Sequence, residues 1–350
     1  MIKEYMNVFC EDYPFFINKY IENSILTRLN GIGFFCGVDY SKIYNVKYWY
    51  SRFDHSIVSA LMTWNFTKDK QETIAALFHD VGTPTFSHTI DYLFDDRIKQ
   101  QSSEKSLFDM ILGGGDSDLI CLLKEDNLTI KDITDLSNYP ILENERPKLC
   151  VDRLDGVLHT GLIWLGFWSI EDVKEIYDDI IVLNDNGKCE IGFQNIEIAD
   201  KFFDGVFKYS IALQSNEDKF CMQFISDILK TLVEKNKLKI EDLYTMSESE
   251  IISIIANDLS LRSVWNKFRN ANKVIGSTTL PKDYSVSFEC KKRYVIPLCL
   301  NRGVPTRLNE LSSRASEKIE EYLNYKSDKY AYVKGIRFND KRSRSKVDNK

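Results

Sequence analysis

Between residues 51 and 65 (SRFDHSIVSALMTWN), apolar Val58, Leu61 and Met62 fall on one side of a helix. Ser51, with Asp54 three residues on, supplies a capping-box start. A second helix is predicted over 70–79: Asp69 and Glu72 form its capping pair, and Ile74, Leu77 and Phe78 keep the i, i+3, i+4 spacing. Gly82 and Pro84 stop it. A third begins near Phe86 and runs through His88 and Asp91, and Gly113-Gly114-Gly115-Asp116 marks a loop. Residues 147–165 read as a long, largely apolar helix carrying Asp152, Arg153, Asp155 and His159. The pattern then becomes a hairpin: a strand at 179–183, a turn at Asp185-Asn186-Gly187 and a return strand at 188–193. Residues 196–235 return to helix, and 236–350 mix short helices with a strand at 293–298. The last stretch, 339–350 (NDKRSRSKVDNK), has the composition of a disordered basic tail. The chain is therefore expected to be mainly α, with a small β component.

Composition narrows the class. The 350 residues suffice for one large domain or two ordinary ones. At 43% hydrophobic and 28% charged, with 21 Phe and 18 Tyr, the chain can build a sizeable core. No stretch approaches the roughly 20 apolar residues of a membrane helix. The first twelve residues carry Glu4, Glu11 and Asp12 and lack the order of a signal peptide, so a soluble cytoplasmic protein is expected. The eight cysteines form no C-x-x-C pair and read as reduced thiols, which disfavours cysteine as a metal ligand. The net charge of -6 is uneven: residues 291–350 hold 16 basic against 7 acidic side chains, the other 290 residues 30 against 45. This asymmetry fits a basic subdomain on an acidic body, a solvated tail, or a surface for an anionic ligand. Nucleic acid is a possible partner but not a favoured one, because no stacking-aromatic module accompanies the charge.

The four histidines, at 55, 79, 88 and 159, all lie in the first half, on or beside predicted helices. His79 is followed by Asp80, and Asp91 stands three residues after His88. Such an N/O set suits Mn, Fe, Zn or Mg. A lone buried histidine is more often a satisfied core residue. A buried His-Asp pair at a helix end before a Gly/Pro loop, however, costs several kcal/mol unless paired or metal-bound.

The ordered pattern His55 … His79-Asp80 … Asp152 resembles the H…HD…D signature of HD-superfamily phosphohydrolases. Its flanks resemble the deoxynucleoside triphosphate (dNTP) triphosphohydrolase branch of that superfamily. Where that branch reads R-F-x-H-S, this chain has Arg52-Phe53-Asp54-His55-Ser56; for H-D-x-G-H-x-P-F-S-H it has HDVGTPTFSH from His79 to His88; for D-R-x-D-Y it has Asp152-Arg153-Leu154-Asp155-Gly156. The likeness runs from about Leu26 to about Phe207, roughly half the chain. It implies an HD-domain helical bundle over 1–235, with the hairpin, and a mixed, mostly helical C-terminal subdomain over 236–338 packed on it. It also implies one divalent metal per chain (Mn, Fe, Mg, Zn or Co) held by His55, His79, Asp80 and Asp152. By the same resemblance Arg52 and Arg153 contact phosphate, His88 and Asp91 handle the proton, and Glu104 matches the acidic half of the family's H-E pair. Asp155 and His159, on the same face as Asp152, are grouped with the phosphate- and substrate-binding residues. His159 has two readings, a substituted proton donor or a core histidine bonded to Asp155.

The departures are equally specific. Thr83, Ser103, Gly156 and Gly31 replace a family histidine, the histidine of the H-E pair, a tyrosine and a sugar-reading glutamine. The later helix that carries cations in the family aligns with FKYSIALQSNEDKF (207–220), which offers only Lys208 and Lys219 beside Glu217 and Asp218. Each missing charged hydrogen bond is worth about 1.5–3 kcal/mol to a triphosphate. Either the substrate differs, or the cations come from the basic 291–350 segment or a neighbouring subunit. The leading expectation is metal-dependent hydrolysis of a phosphate ester or anhydride in a nucleotide-like small molecule. The alternatives are dNTP triphosphohydrolysis, an HD-type phosphodiesterase or nuclease, and a non-catalytic nucleotide sensor. A homo-oligomer is implied by the family alone.

Overall fold

The computed structural model describes residues 1–93 and 117–338. Glu104, the glycine loop at 113–116 and the basic tail at 339–350 lie outside the described residues. The described chain is mainly helical with two small sheets, and one hydrophobic core runs from Tyr5 to Ile336. No described helix is long and apolar enough to cross a membrane.

The helix Arg52–Thr67 starts on the expected capping box: Ser51 Oγ accepts from Asp54 N at 3.0 Å, and Ser51 N donates to Asp54 Oδ2 at 2.9 Å. Lys68 takes a left-handed conformation (φ 52°), turning the chain into the helix Lys70–Phe78, which Asp69 caps through Glu72 N at 2.8 Å. The two helices pack together, and Val151–His159 lies against the first of them. That third helix is shorter than expected. It begins at Val151, and a single π-helical turn, Thr160–Trp164, continues it.

The helix expected from Phe86 begins instead at Thr89. Phe86 and Ser87 are held at φ 62° and 48°, outside helical geometry, with Phe86 N donating to Glu248 Oε1 at 3.2 Å. The helical stretch 196–235 is two helices, Ile196–Ala212 and Asn216–Glu234, separated where Ser215 caps the second. Asn216–Glu234 packs against Thr89–Leu93.

Strands Ile180–Asp185 and Lys188–Phe193 form the hairpin on an Asn186-Gly187 turn, both residues at positive φ (53° and 83°). A second hairpin, Leu298–Asn301 with Val304–Arg307, adds in parallel to Lys188–Phe193, completing a four-stranded sheet. Of the strand expected at 293–298 only Leu298 joins a ladder. Arg293 N donates to Tyr322 Oη (2.7 Å) and Ile296 N to Pro147 O (2.8 Å), so these amides are spent on loops. Strands Ile275–Ser277, Tyr330–Tyr332 and Ser285–Val286 make the second sheet.

Two carboxylates fasten the C-terminal half to loops of the first. Arg307 grips buried Glu190 with two 2.6 Å bonds, and Glu190 Oε1 also accepts from Leu149 N at 3.0 Å, just before the helix Val151–His159. Buried Glu248 Oε1 accepts from Gly33 N at 3.0 Å as well as from Phe86 N. Burial pushes the Glu248 carboxyl up to about 8.

Candidate metal centre and cavity

His55 comes from the helix Arg52–Thr67, His79 from the end of Lys70–Phe78 and Asp152 from the first turn of Val151–His159. Their ligand atoms lie within 4.8 Å of one another. His55 Nε2 is 3.1 Å from both His79 Nε2 and Asp152 Oδ1.

The far sides of the rings decide what these nitrogens are. His55 Nδ1 is 2.5 Å from Asp155 Oδ2 and His79 Nδ1 is 2.6 Å from the Ala76 carbonyl. Both partners are acceptors only, so both Nδ1 atoms carry the hydrogen and, in the neutral rings, both Nε2 atoms present lone pairs. Two lone pairs 3.1 Å apart, with a carboxylate oxygen beside them, repel unless a cation or proton sits among them. A divalent metal fits this donor set. Without one, a proton serves. Burial opposes charge on His55, but hydrogen bonds to Asp152 and Asp155 and the charges of Asp155 and Asp80 outweigh it and push the ring up to about 10.

Asp80 stands next to this cluster, its Oδ2 3.9 Å from His55 Nε2. In this arrangement Oδ2 pairs with Arg52 Nη1 at 2.8 Å, and Oδ1 accepts from Thr83 Oγ1 at 2.9 Å. Thr83 thus orients Asp80 through its hydroxyl. Burial opposes ionisation of Asp80, yet Arg52 and the two histidines hold it well below the usual carboxylate range. Arg52 is buried, bonds Ser87 Oγ at 3.2 Å and lies over the Phe34 ring at 4.4 Å.

The structure places Asp155 and His159 behind the cluster, away from the cavity. Both are fully buried, and neither lines the cavity onto which Asp152 opens. Asp155 accepts from Tyr5 Oη (2.5 Å), Tyr50 Oη (3.0 Å) and His55 Nδ1, so it supports a ligand from behind; an anion there has no route to phosphate. His159 stacks on Tyr50 at 4.3 Å and meets the edge of Phe34. Its Nδ1 lies 3.3 Å from Asp155 Oδ2 without hydrogen-bond alignment, and burial holds the ring below its ordinary value. Of its two readings, this is the core position.

The cavity has a volume of about 520 Å³, within the range of small-molecule sites. His79, Asp80 and Asp152 form one part of its wall, with Arg52, His88 and Arg153. Arg153 spends its Nε on Lys148 O (3.0 Å) and Nη2 on Asn144, which leaves it less available to a ligand than the resemblance implies. His88 Nδ1 sits 3.4 Å from Asp91 Oδ2. Burial keeps His88 below its ordinary value against the pull of Asp91, and the Arg293 and Arg52 charges add to that. Lys208 and Lys219 do not enter the cavity: Lys208 lies over Phe167, and Lys219 is buried on Ser327 and Asp328. The cations come instead from Arg146, Lys291 and Arg293. Sequence reasoning missed Arg146, which no motif marks, and offered the basic 291–350 segment as a source of cations without singling out Lys291 or Arg293. It also missed Glu248 as the support for the Phe86–Ser87 turn.

No family model matches the chain. The uncharacterised protein YdhJ of Bacillus subtilis is 25% identical over 240 residues, covering 68% of this chain and 70% of that protein. A hypothetical protein of Aquifex aeolicus superposes with a TM-score of 0.59 at 16% identity over 90% of both chains. A phosphohydrolase of Bacteroides thetaiotaomicron superposes with a TM-score of 0.58 at 15% identity, over 90% of this chain and 94% of that one. These structural likenesses establish a shared fold: a mainly helical chain that carries, here, a His-His-Asp cluster able to hold a metal ion.

Proposed function

We propose that the chain is a metal-dependent phosphohydrolase of the HD type, acting on a phosphate ester or anhydride of a nucleotide-like small molecule. The observation that carries this reading is the convergence of His55 Nε2, His79 Nε2 and Asp152 Oδ1 at the wall of a cavity also lined by four arginines. The fold shared with a phosphohydrolase supports it.

In this reading His55, His79, Asp80 and Asp152 hold one divalent ion, and Asp155 and Ala76 O fix the tautomers of the two rings. When bound, the ion supplies Lewis acidity to a phosphoryl oxygen and acidifies water. Arg52 balances Asp80 and, with Arg146 and Arg293, draws phosphate oxygens into the cavity. Neutral His88, its Nδ1 facing Asp91, has Nε2 available to accept a proton. Glu104, matched by the resemblance to the acidic half of the family's H-E pair, is kept as a catalytic candidate. The dNTP triphosphohydrolase reading gains from Arg146, Lys291 and Arg293, which return to the cavity the positive charge that Lys208 and Lys219 do not bring.

The test is elemental analysis of the purified protein, followed by a screen of nucleotides, dNTPs and phosphodiesters with added Mn, the products being resolved by chromatography. About one metal per chain and turnover of one substrate class, both lost in His55→Ala, is the expected result. Absence of metal under every loading condition would overturn the reading.

A further inference from the structure

The helix Asn216–Glu234 presents one acidic side chain to the cavity, Asp218. Only 7% of this residue is exposed. Its backbone N–H is spent on Ser215 Oγ at 3.2 Å, but among the described residues its carboxylate has no hydrogen-bond or ion-pair partner. Several other buried carboxylates are bonded: Asp155, Glu190 and Glu248 each accept from at least two donors, although Glu248 Oε2 and Glu72 Oε1 have no partner among the described residues. Arg293 is near enough to favour the charge, yet burial outweighs it and pushes the Asp218 carboxyl up to about 7. A buried polar group left unbonded costs free energy, and such a group facing a cavity finds its partner in whatever fills that cavity.

Resting on the phosphohydrolase reading, we infer that Asp218 is a specificity residue: it accepts hydrogen bonds from hydroxyl or amino groups on the non-phosphate part of the substrate. The arginines and the metal cluster can select any phosphate. Asp218 rejects compounds whose organic part carries no donors, because the buried carboxylate then stays unpaired. Its surroundings suit this role. Tyr92, Tyr294, Met222 and Phe35 line the same cavity and offer apolar area to a ring.

The experiment compares wild type with Asp218→Ala and Asp218→Asn, using nucleoside 5′-monophosphates and triphosphates against bis(p-nitrophenyl) phosphate, whose aryl groups carry no donor. Asp218→Ala is expected to lower kcat/KM for the preferred nucleotide at least about tenfold more than for the diester, mainly through KM. Asp218→Asn, which keeps one acceptor oxygen, falls between. A 2′,3′-dideoxy analogue insensitive to Asp218→Ala assigns the contact to sugar hydroxyls; an analogue that stays sensitive assigns it to the base. Equal losses on nucleotide and diester, or no loss on either, overturn the inference. Melting temperature supplies a readout that needs no activity. A carboxylate without a partner in the free protein contributes nothing to the fold, so both variants should melt no lower than wild type, and lower melting points would mark a structural role. If nothing is turned over, the parent reading fails separately. Asp218 is then judged by nucleotide-induced stabilisation, present in wild type and absent in Asp218→Ala if the inference holds, and unchanged by the substitution if it does not.

Discussion

Replacement of Asp155 by asparagine tests whether the metal centre is organised from behind. The wild-type carboxylate takes three hydrogen bonds, from Tyr5 Oη, Tyr50 Oη and His55 Nδ1, in a site closed to solvent. The amide oxygen of asparagine can accept two, and its NH₂ must then face a donor. At least one buried donor is orphaned, a cost of about 1–3 kcal/mol to the metal-free fold. The second effect is on the ring. Without a carboxylate behind it, His55 Nδ1–H is no longer fixed and Nε2 becomes a poorer donor to a cation, so metal affinity should fall about 10–100-fold. Chemical denaturation of chelator-treated protein gives the first number, and competition with a chromogenic chelator gives the second. His159→Ala serves as a control, since it also alters the packing around Tyr50 but removes no hydrogen bond from His55. If Asp155→Asn binds metal as tightly as wild type while losing stability, Asp155 is a packing residue and the tautomer argument is refuted.

Acidity offers a second check. The His55 ring rises from an unfolded value near 6.5 to about 10, so the stabilisation it gives metal-free protein is complete below pH 6.5 and is lost as pH climbs through 10. The depressed Asp80, Asp152 and Asp155 act at the other end, losing their contribution as pH falls below about 4. The melting temperature of chelator-treated protein should therefore decline from pH 6.5 upward, and metal should abolish most of that decline by displacing the proton. Ser51→Ala removes the cap of the His55 helix and should cost about 1 kcal/mol, read in urea. At Gly205 an added Cβ would sit 2.2 Å from the Trp168 ring, so Gly205→Ala should destabilise by about 1–3 kcal/mol. Gly156→Ala, whose nearest neighbour is Phe34 Cζ at 3.9 Å, should be neutral or stabilising by up to about 1 kcal/mol in the same denaturation assay.

Sequence reading worked where structure is decided by neighbours in the chain. Ser51 with Asp54 and Asp69 with Glu72 set helix starts from within one turn, and Asn186-Gly187 sets the hairpin from within two residues. It failed where the deciding partner is distant. The helix start shifts from Phe86 to Thr89 in a turn whose Phe86 amide is held by Glu248, 162 residues away. The strand at 293–298 dissolves because Tyr322 and Pro147 take its amides. The position of Asp155 escapes sequence reading for a related reason. Spacing places it on the same helical face as Asp152, three residues apart, but not on the same side of His55: one carboxylate meets Nε2 and the other Nδ1. A helical wheel does not resolve the two sides of an imidazole.

The two halves of the candidate site have different origins, and this bears on how the cavity keeps its positive charge. The whole His-His-Asp cluster, with Asp80 and its support Asp155, comes from residues 55–155, the part of the chain that resembles the family. Part of the charge lining the cavity comes from elsewhere, Lys291 and Arg293 from the C-terminal half, and it meets Arg146 from the loop before the helix Val151–His159. Ile296 N bonds Pro147 O, and the Glu190–Arg307 pair bonds Leu149 N, so the C-terminal strand and the Arg146 loop are held to each other. With Lys208 and Lys219 turned away, the cavity therefore keeps its charge, because residues 291–293 belong to a segment fixed to the loop that leads into the helix carrying Asp152. On the proposed function, substrate choice can then change through residues 146, 218 and 291–293 while the His-His-Asp cluster stays as it is, and Asp218 adds an acceptor on the wall that also carries Arg293.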